Sequence, residues 1–227
     1  MKEEFSRTAL VIGEDAVLKL KNSKVAVFGL GGVGGHAAEA LVRAGIGSLD
    51  LIDFDTVSLS NINRQLAALH STVGKKKVEV LKERFIDINP ELVINTFPVF
   101  YDSETKNQFD LSKYDYIVDA IDSVKSKINL IVNATAVGTP IISSMGAGNK
   151  LDATAFKVAD IYKTSVCPLA KVIRTELKKR DVKKLKCVYS EEQPKVRSTP
   201  PGSLSFVPST VGLILAGEVV KDITRSV

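Results

Sequence analysis

The sequence predicts an α/β fold, a Rossmann-like doubly wound sheet that is mostly parallel with antiparallel C-terminal strands and helices on both faces. Three observations lead to it. A short run of β-formers, Val25, Val27 and Phe28, ends at Gly29 and opens into Gly31, Gly32 and Gly34. A second apolar run, Leu49 to Ile52, ends at Asp53, nineteen positions after Gly34. Further short apolar runs then alternate with segments of helical period, the pattern of repeated βα units.

Taken in order, Phe5 to Leu20 reads as a helical entry segment broken at Gly13, with Leu10, Val11, Ala16, Val17, Leu18 and Leu20 on its apolar side. The run 24–28 lacks a helical period and reads as a buried parallel strand. Gly29, Gly31 and Gly34 fit G-x-G-x-x-G: they permit unusual φ angles, let a phosphate approach the backbone, and let helix 34–45 pack close to its strand. The free N–H groups and dipole at that helix start favour an anion. Asp53 stands where such folds place the ribose carboxylate.

Lys75, Lys76 and Lys77 open a helix to about Ile86, with Val78, Val80, Leu81 and Phe85 as its buried face. Residues 92–100 form a third strand that breaks at Pro98, and 103–109 a short helix begun by Ser103. A fourth strand through Tyr116, Ile117 and Val118 ends at Asp119, and Asp122 follows. Ligands sit beyond the carboxyl ends of strands at a switch point, so both carboxylates are expected in the crevice of Gly31. Either could instead cap helix 123–137. Pro140 to Ser144 is a fifth strand, and Met145 to Lys150 a glycine-bearing turn that leads to an antiparallel strand at 155–160.

From Ser165 the charge changes. Leu169, Val172, Ile173 and Leu177 form one helical stripe; Lys171, Arg174 and Lys178 lie on another face and run into Lys179, Arg180, Lys183, Lys184 and Lys186. Residues 171–186 hold eight basic and two acidic side chains, net +6 against +5 for the whole chain, so the charge is local. A focus of this kind suits an RNA backbone; without an RNA-reading aromatic motif, a solvated basic helix is the alternative. Cys187 alternates with Leu185 and Tyr189 in a strand, where packing is its expected role, as it is for Cys167. Residues 190–205 carry three prolines and read as a long mobile crossover loop of the kind that often guards a site. Phe206 to Ile223 is an apolar closing helix, buried in the core or in a dimer interface.

At 227 residues and 44% hydrophobic content the chain can bury one sizeable core. A single domain is expected: entry segment 1–22, nucleotide-binding core 24–150, and substrate-side extension 151–227. No apolar run approaches the eighteen or so residues that span a bilayer, so the chain reads as soluble and cytoplasmic, without a membrane partner. Two cysteines twenty positions apart exclude a paired C-x-x-C zinc cluster. His36 and His70 stand apart from any ligand at metal spacing and read as ordinary packed or surface residues.

The chemistry lies beyond the second strand, where Asp53, Asp55, Ser60, Asn61, Asn63, Arg64, Gln65, Gly74 and Lys77 fall within one connection. A helix N-terminus handles a dinucleotide's pyrophosphate, whereas a triphosphate cleaved at its α-phosphorus needs side-chain cations over the departing charge. Arg64 and Lys77 therefore favour ATP over NAD. In G-x-G-G-x-G, D-x-D-x-V-x-x-S-N-x-x-R-Q and the later D-x-x-D, the chain resembles the E1-like adenylyltransferases, typified by sulfur-carrier activating enzymes of molybdopterin and thiamine synthesis. The resemblance implies ATP bound by Gly29, Gly31, Gly32, Gly34, Asp53, Asp55, Ser60, Asn61, Arg64, Lys77, Asp119 and Asp122. It further implies Mg²⁺ at Asp122, catalytic roles for Arg64, Lys77 and Asp122, and a homodimer in which Arg7 reaches the partner's phosphates. The family also has a special loop beneath the substrate at 145–150, where Asn149 and Lys150 would meet an acyl group; a plain turn there is as good a reading.

Absence of zinc cysteines, the SSMGAGNKLD turn, the KTSVCPLAKVIRTELKKR helix, the KCVYS strand and the GSLSFVPSTVG segment narrow the resemblance to tRNA threonylcarbamoyladenosine dehydratases. These use ATP to activate the free carboxylate of threonylcarbamoyl-adenosine in ANN-decoding tRNA and close it into a ring. That resemblance makes Lys171, Arg174, Lys178, Lys179, Arg180, Lys183 and Lys184 the candidate RNA surface and leaves room for a sulfur-transfer protein as a further partner. Two other classes remain. An activator of a ubiquitin-like or sulfur-carrier C-terminus would need a thioester or persulfide on Cys187, and a binding module without chemistry would have no use for Asp53, Asn61, Arg64, Lys77 and Asp122 together.

Overall fold

The computed structural model describes residues 3–194, 198 and 200–225. Seven strands form one sheet in the order β3-β2-β1-β4-β5-β7-β6. The first five are β1 (Lys24–Phe28), β2 (Ser48–Ile52), β3 (Val93–Phe97), β4 (Tyr116–Asp119) and β5 (Ile141–Ser144), and every pairing among them is parallel. Of the C-terminal strands, β7 (Lys186–Ser190) runs parallel to β5, and β6 (Phe156–Asp160) alone is antiparallel. Chain order reverses between β1 and β4, which opens a crevice beyond their carboxyl ends.

Alternation along β1 builds two cores. Val25 and Val27 face the cluster containing helix α3 (Gly34–Ala44), helix α4 (Lys77–Ile88) and helix α7 (Phe206–Thr224), while Ala26 and Phe28 face helix α5 (Val124–Ala136). A third cluster joins α5 to helix α6 (Pro168–Lys179) around Ile131, Ile173 and Leu177. Gly212 lets α7 press on α3, since a Cβ there would lie 2.3 Å from the Val33 carbonyl oxygen. The closing helix is thus an element of the core, with Val211, Leu215 and Val219 buried and Leu213 exposed.

The entry segment divides at Gly13, at φ 87°, into α1 (Ser6–Ile12) and α2 (Glu14–Asn22). Its expected apolar side is only partly used. Ala16, Val17 and Leu20 are buried, whereas Leu10 and Val11 stand 86% and 84% exposed and Leu18 is exposed too. A second difference is the absence of an α-helix at 103–109. The Asp102 side chain, not Ser103, accepts from the Glu104 and Thr105 N–H groups and turns the chain, which makes a single 3₁₀ turn at Lys106–Gln108. The helix expected from Lys75 begins at Lys77, because Thr56 and Lys76 pair as a β-bridge before it. Of the expected crossover 190–205, residues 195–197 and 199 lie outside the described residues. No helix among the described residues is long and apolar enough to cross a membrane.

Candidate active site

The crevice at the β1/β4 switch point is a space of about 300 Å³ lined by Gly29, Gly31, Gly32, Asp53, Asp55, Arg64, Lys77 and Asp122 among others. Its floor is a close backbone approach. Gly29 has φ 86°, and a Cβ on Gly34 would fall 1.8 Å from the Gly29 carbonyl oxygen, so the turn accepts only glycine at both positions. Asp53 fixes this turn: its Oδ2 accepts the Leu30 N–H at 2.6 Å and its Oδ1 the Asp55 N–H at 2.8 Å. Among the described residues the Gly31 and Gly32 N–H groups donate to no protein acceptor, which leaves them for an anion at the start of α3.

Lys77 is the clearest departure from local rules. It is the first residue of α4, where the helix dipole disfavours a cation, and it is only 3% exposed. Its Nζ donates to Asp55 Oδ2 at 2.6 Å, and Asp55 is partly open to the crevice. A buried cation set against the dipole costs stability, which marks a position held for function. Arg64 uses Nη1 for the Ser60 carbonyl at 2.9 Å and Asn63 Oδ1 at 2.8 Å; the remaining donors of its guanidinium are left for a ligand.

Three expected ligand residues are placed elsewhere. Asp119 is fully buried and does not face the crevice: its Oδ2 accepts from Lys127 Nζ at 2.8 Å and Ser143 Oγ at 2.5 Å, and its Oδ1 from the Ile121 N–H. It anchors the segment that carries Asp122 to the rim. Ser60 and Asn61 shape the turn before Arg64, because Asn61 Oδ1 accepts the Ser58 N–H, the Asn61 carbonyl accepts from Arg64 and Gln65, and the Ser60 hydroxyl meets Ser58. Ser123, not Asp119 or Asp122, caps α5.

Phe100, Tyr101 and Pro201–Ser203 also line the crevice, as does Gln65 of the connection beyond the second strand. Gln65 Oε1 is the one buried side-chain polar atom among the described residues without a hydrogen-bond partner, an acceptor open to a ligand donor. Phe100 packs edge-on to Phe54, with centroids 4.9 Å apart, and Pro201–Ser203 arrive from the far crossover, where Asn63 Nδ2 donates to the Ser203 carbonyl. Phe100 and Tyr101 follow the third strand, Val93–Phe97, so the rule about strand ends points to them, and Pro201–Ser203 belong to the crossover that the sequence reads as guarding a site.

Arg7 is exposed on α1. Phe5, at the head of that helix, packs on Gly45 and so sits beside the amino ends of the strands, opposite the crevice. Within one chain the structure does not bring Arg7 to the other candidates.

The basic surface is less free than its composition implies. Arg174 is committed to the Thr164 carbonyl and hydroxyl at 2.9 and 2.6 Å. Lys179 and Arg180 both pair with Glu176, holding its carboxyl below the usual carboxylate range, and Lys183 pairs with Asp181. Lys171, Lys178 and Lys184 are exposed and outside these pairs. Cys187 is fully buried, and burial first, then Asp160 and Cys167, pushes its thiol up to about 12. Among the described residues no three His, Cys, Asp or Glu side chains group as a metal site.

Comparison with known proteins agrees with this architecture. Along its full length the chain is 45% identical to tRNA threonylcarbamoyladenosine dehydratase of Bacillus subtilis, covering 97% of that protein. It is 35% identical to Escherichia coli molybdopterin-synthase adenylyltransferase over 62% of this chain and 56% of that one. The crystal structure of Escherichia coli tRNA N6-threonylcarbamoyladenosine dehydratase in complex with ATP superposes with a TM-score of 0.93 at 36% identity, over 99% of this chain and 95% of that one. The pattern of the ThiF family matches residues 5–226. The chain belongs to the ThiF family.

Proposed function

We propose that the protein is an ATP-dependent tRNA threonylcarbamoyladenosine dehydratase: it adenylates the free carboxylate of the modified nucleoside and lets the substrate close on itself. The observation that carries this reading is the buried Lys77 at the head of α4, beside Arg64 and the glycine-loop N–H groups, because cations aimed at a triphosphate serve its cleavage. A full-length relative of that name and the ATP-bound neighbour support the same choice.

A carboxylate oxygen of the substrate attacks the α-phosphorus, the bond to pyrophosphate breaks, and an acyl adenylate forms. A nitrogen of the same substrate then attacks the acyl carbon and loses its proton, and AMP leaves with the carboxylate oxygen. Arg64 and Lys77 stand over charge that grows on pyrophosphate, each worth about 3 to 4 kcal/mol. No enzyme nucleophile is required, and the thiol of Cys187, buried and held protonated, suits none; this weighs against the carrier-protein reading.

Mg²⁺ is commonly held by one or two carboxylates together with substrate phosphates, and the exposed, crevice-lining Asp122 fits that donor set. When bound it would neutralise phosphate charge. Two neighbouring features fit a twofold homodimer, namely exposed Leu10 and Val11 beside Arg7, which would complete the partner's site.

Oxygen labelling tests the chemistry. With heavy oxygen in the substrate carboxylate, one label is expected in AMP; label retained wholly in the nucleoside or lost to water would reject adenylation. The tRNA role is tested at the free cations. Reversing Lys171, Lys178 and Lys184 to glutamate is expected to weaken tRNA binding, lower the slope of log K against log salt by about 2 to 3, and leave ATP affinity alone. An unchanged slope would exclude this face.

A further inference from the structure

Lys127 and Asp119 form a buried ion pair next to the crevice, and the adenylation steps give neither a role. Both are 0% exposed, as is Ser143, and none of the three lines the crevice. Lys127 Nζ donates to Asp119 Oδ2 at 2.8 Å and to Ser143 Oγ at 3.2 Å, and the Ser143 hydroxyl donates to the same Oδ2 at 2.5 Å. One ammonium in the first turn of α5 thus ties that helix to the carboxyl end of β4 and to β5.

Stability does not account for the arrangement. Taking two charges out of water commonly costs as much as their attraction returns, and apolar side chains of similar volume fill such a place as well or better. What the pair does provide is orientation. The terminal torsion of an aspartate has no sharp preference of its own, so neighbours must set the rotation of its carboxylate. With Oδ2 held by Lys127 and Ser143, Oδ1 is left turned toward the Ile121 N–H, which it accepts at 3.1 Å.

That hydrogen bond matters because little else holds the chain there. Residues 120–123 join β4 to α5 without regular structure. Among the described residues their backbone N–H groups make two hydrogen bonds to protein, this one and that of Ala120 to the Phe28 carbonyl at 2.8 Å. The same segment is a wall of the crevice, with Ala120, Ile121 and Asp122 in its lining. It also backs the glycine turn: a Cβ on Gly29 would fall 2.6 Å from the Ala120 carbonyl oxygen, and one on Gly34 3.1 Å from Ala120 Cβ. A displaced segment would therefore move Asp122 and loosen the support of the turn together.

We infer that Lys127 and Asp119 are positioning residues of the nucleotide site: touching no ligand themselves, they fix the wall 120–122, and through it the glycine turn and the Asp122 carboxylate. The inference rests on the ATP reading of the crevice above and is independent of which acceptor the enzyme uses.

The test uses the full-length protein, with ATP affinity by calorimetry beside a thermal denaturation curve for each variant. Removing one charge alone would strand the other, so the cluster is replaced as a whole. Asp119→Leu with Lys127→Met and Ser143→Ala leaves no buried polar side chain in the cluster, and the Ile121 N–H, only partly buried, turns to water. This variant is expected to fold with a Tm close to that of wild type, yet to bind ATP about tenfold or more weakly. Asp119→Asn with Lys127→Met keeps Ser143: the amide Nδ2 donates to Ser143 Oγ, and Oδ1 still accepts from Ile121. Its ATP affinity is expected within about threefold of wild type. Because both variants lack the ion pair, recovery by asparagine separates positioning from packing. The inference is overturned if the apolar variant binds ATP as wild type does, if the asparagine variant fails to restore affinity, or if the apolar variant does not fold, which would make the pair structural. A wild type that binds no ATP would instead fell the ATP reading of the crevice, and the inference with it.

Discussion

Lys77→Ala is expected to lower turnover by about 10² or more, the usual effect of losing one preorganised charge over a developing anion, while the protein stays folded. The fold survives because Asp55, the partner of Lys77, is partly open to solvent and can rehydrate. Val78, Leu81 and Phe85 still hold α4 on the sheet, and removal of a cation from the helix N-terminus is itself favourable. Single-turnover kinetics beside a denaturation curve separates the two effects. A variant that turns over within a few-fold of wild type would remove Lys77 from the mechanism, and one that unfolds would make it structural.

Mixing Arg7→Ala with Lys77→Ala subunits, each nearly inactive alone, is expected to restore about a quarter of wild-type activity. A twofold interface is isologous, so a subunit that donates Arg7 also receives one. If Arg7 acts across the interface, each mixed dimer has one site with both lesions and one with neither. Random pairing makes half of the dimers mixed, hence roughly a quarter of all sites intact. The position of α1 at the amino ends of the strands gives Arg7 no route to its own crevice, which is why rescue is expected. No recovery after verified subunit exchange would assign Arg7 to its own chain or to the surface, and a monomer by sedimentation would remove the premise.

What was legible in the sequence is what local pattern controls. The five parallel strands, the glycine turn and the basic helix each carry a period or a spacing confined to a few residues, and the structure has all of them. Composition of a motif did not, however, reveal which side chains turn inward. Asp119 and Asp122 stand three positions apart, yet one is sealed by Lys127 from α5 and Ser143 from β5, partners distant in sequence. Ser60 and Asn61 belong to a ligand-like motif but spend their side chains on the turn that aims Arg64. Arg174 looked like one more cation of the stripe until Thr164, ten positions earlier, took its guanidinium. The crossover at Pro201 to Ser203 was legible as a guarding loop, but its contact with Asn63 arises only through tertiary folding.

Incubating the enzyme with ATP, Mg²⁺ and bulk tRNA and then analysing the nucleosides by mass spectrometry reads the ATP-driven loss of water from the modified nucleoside. Threonylcarbamoyl-adenosine is expected to disappear in favour of a nucleoside lighter by one water, with one AMP released per nucleoside converted. An unchanged nucleoside profile, or AMP released without tRNA upon addition of a carrier protein with a free C-terminal glycine, would contradict it.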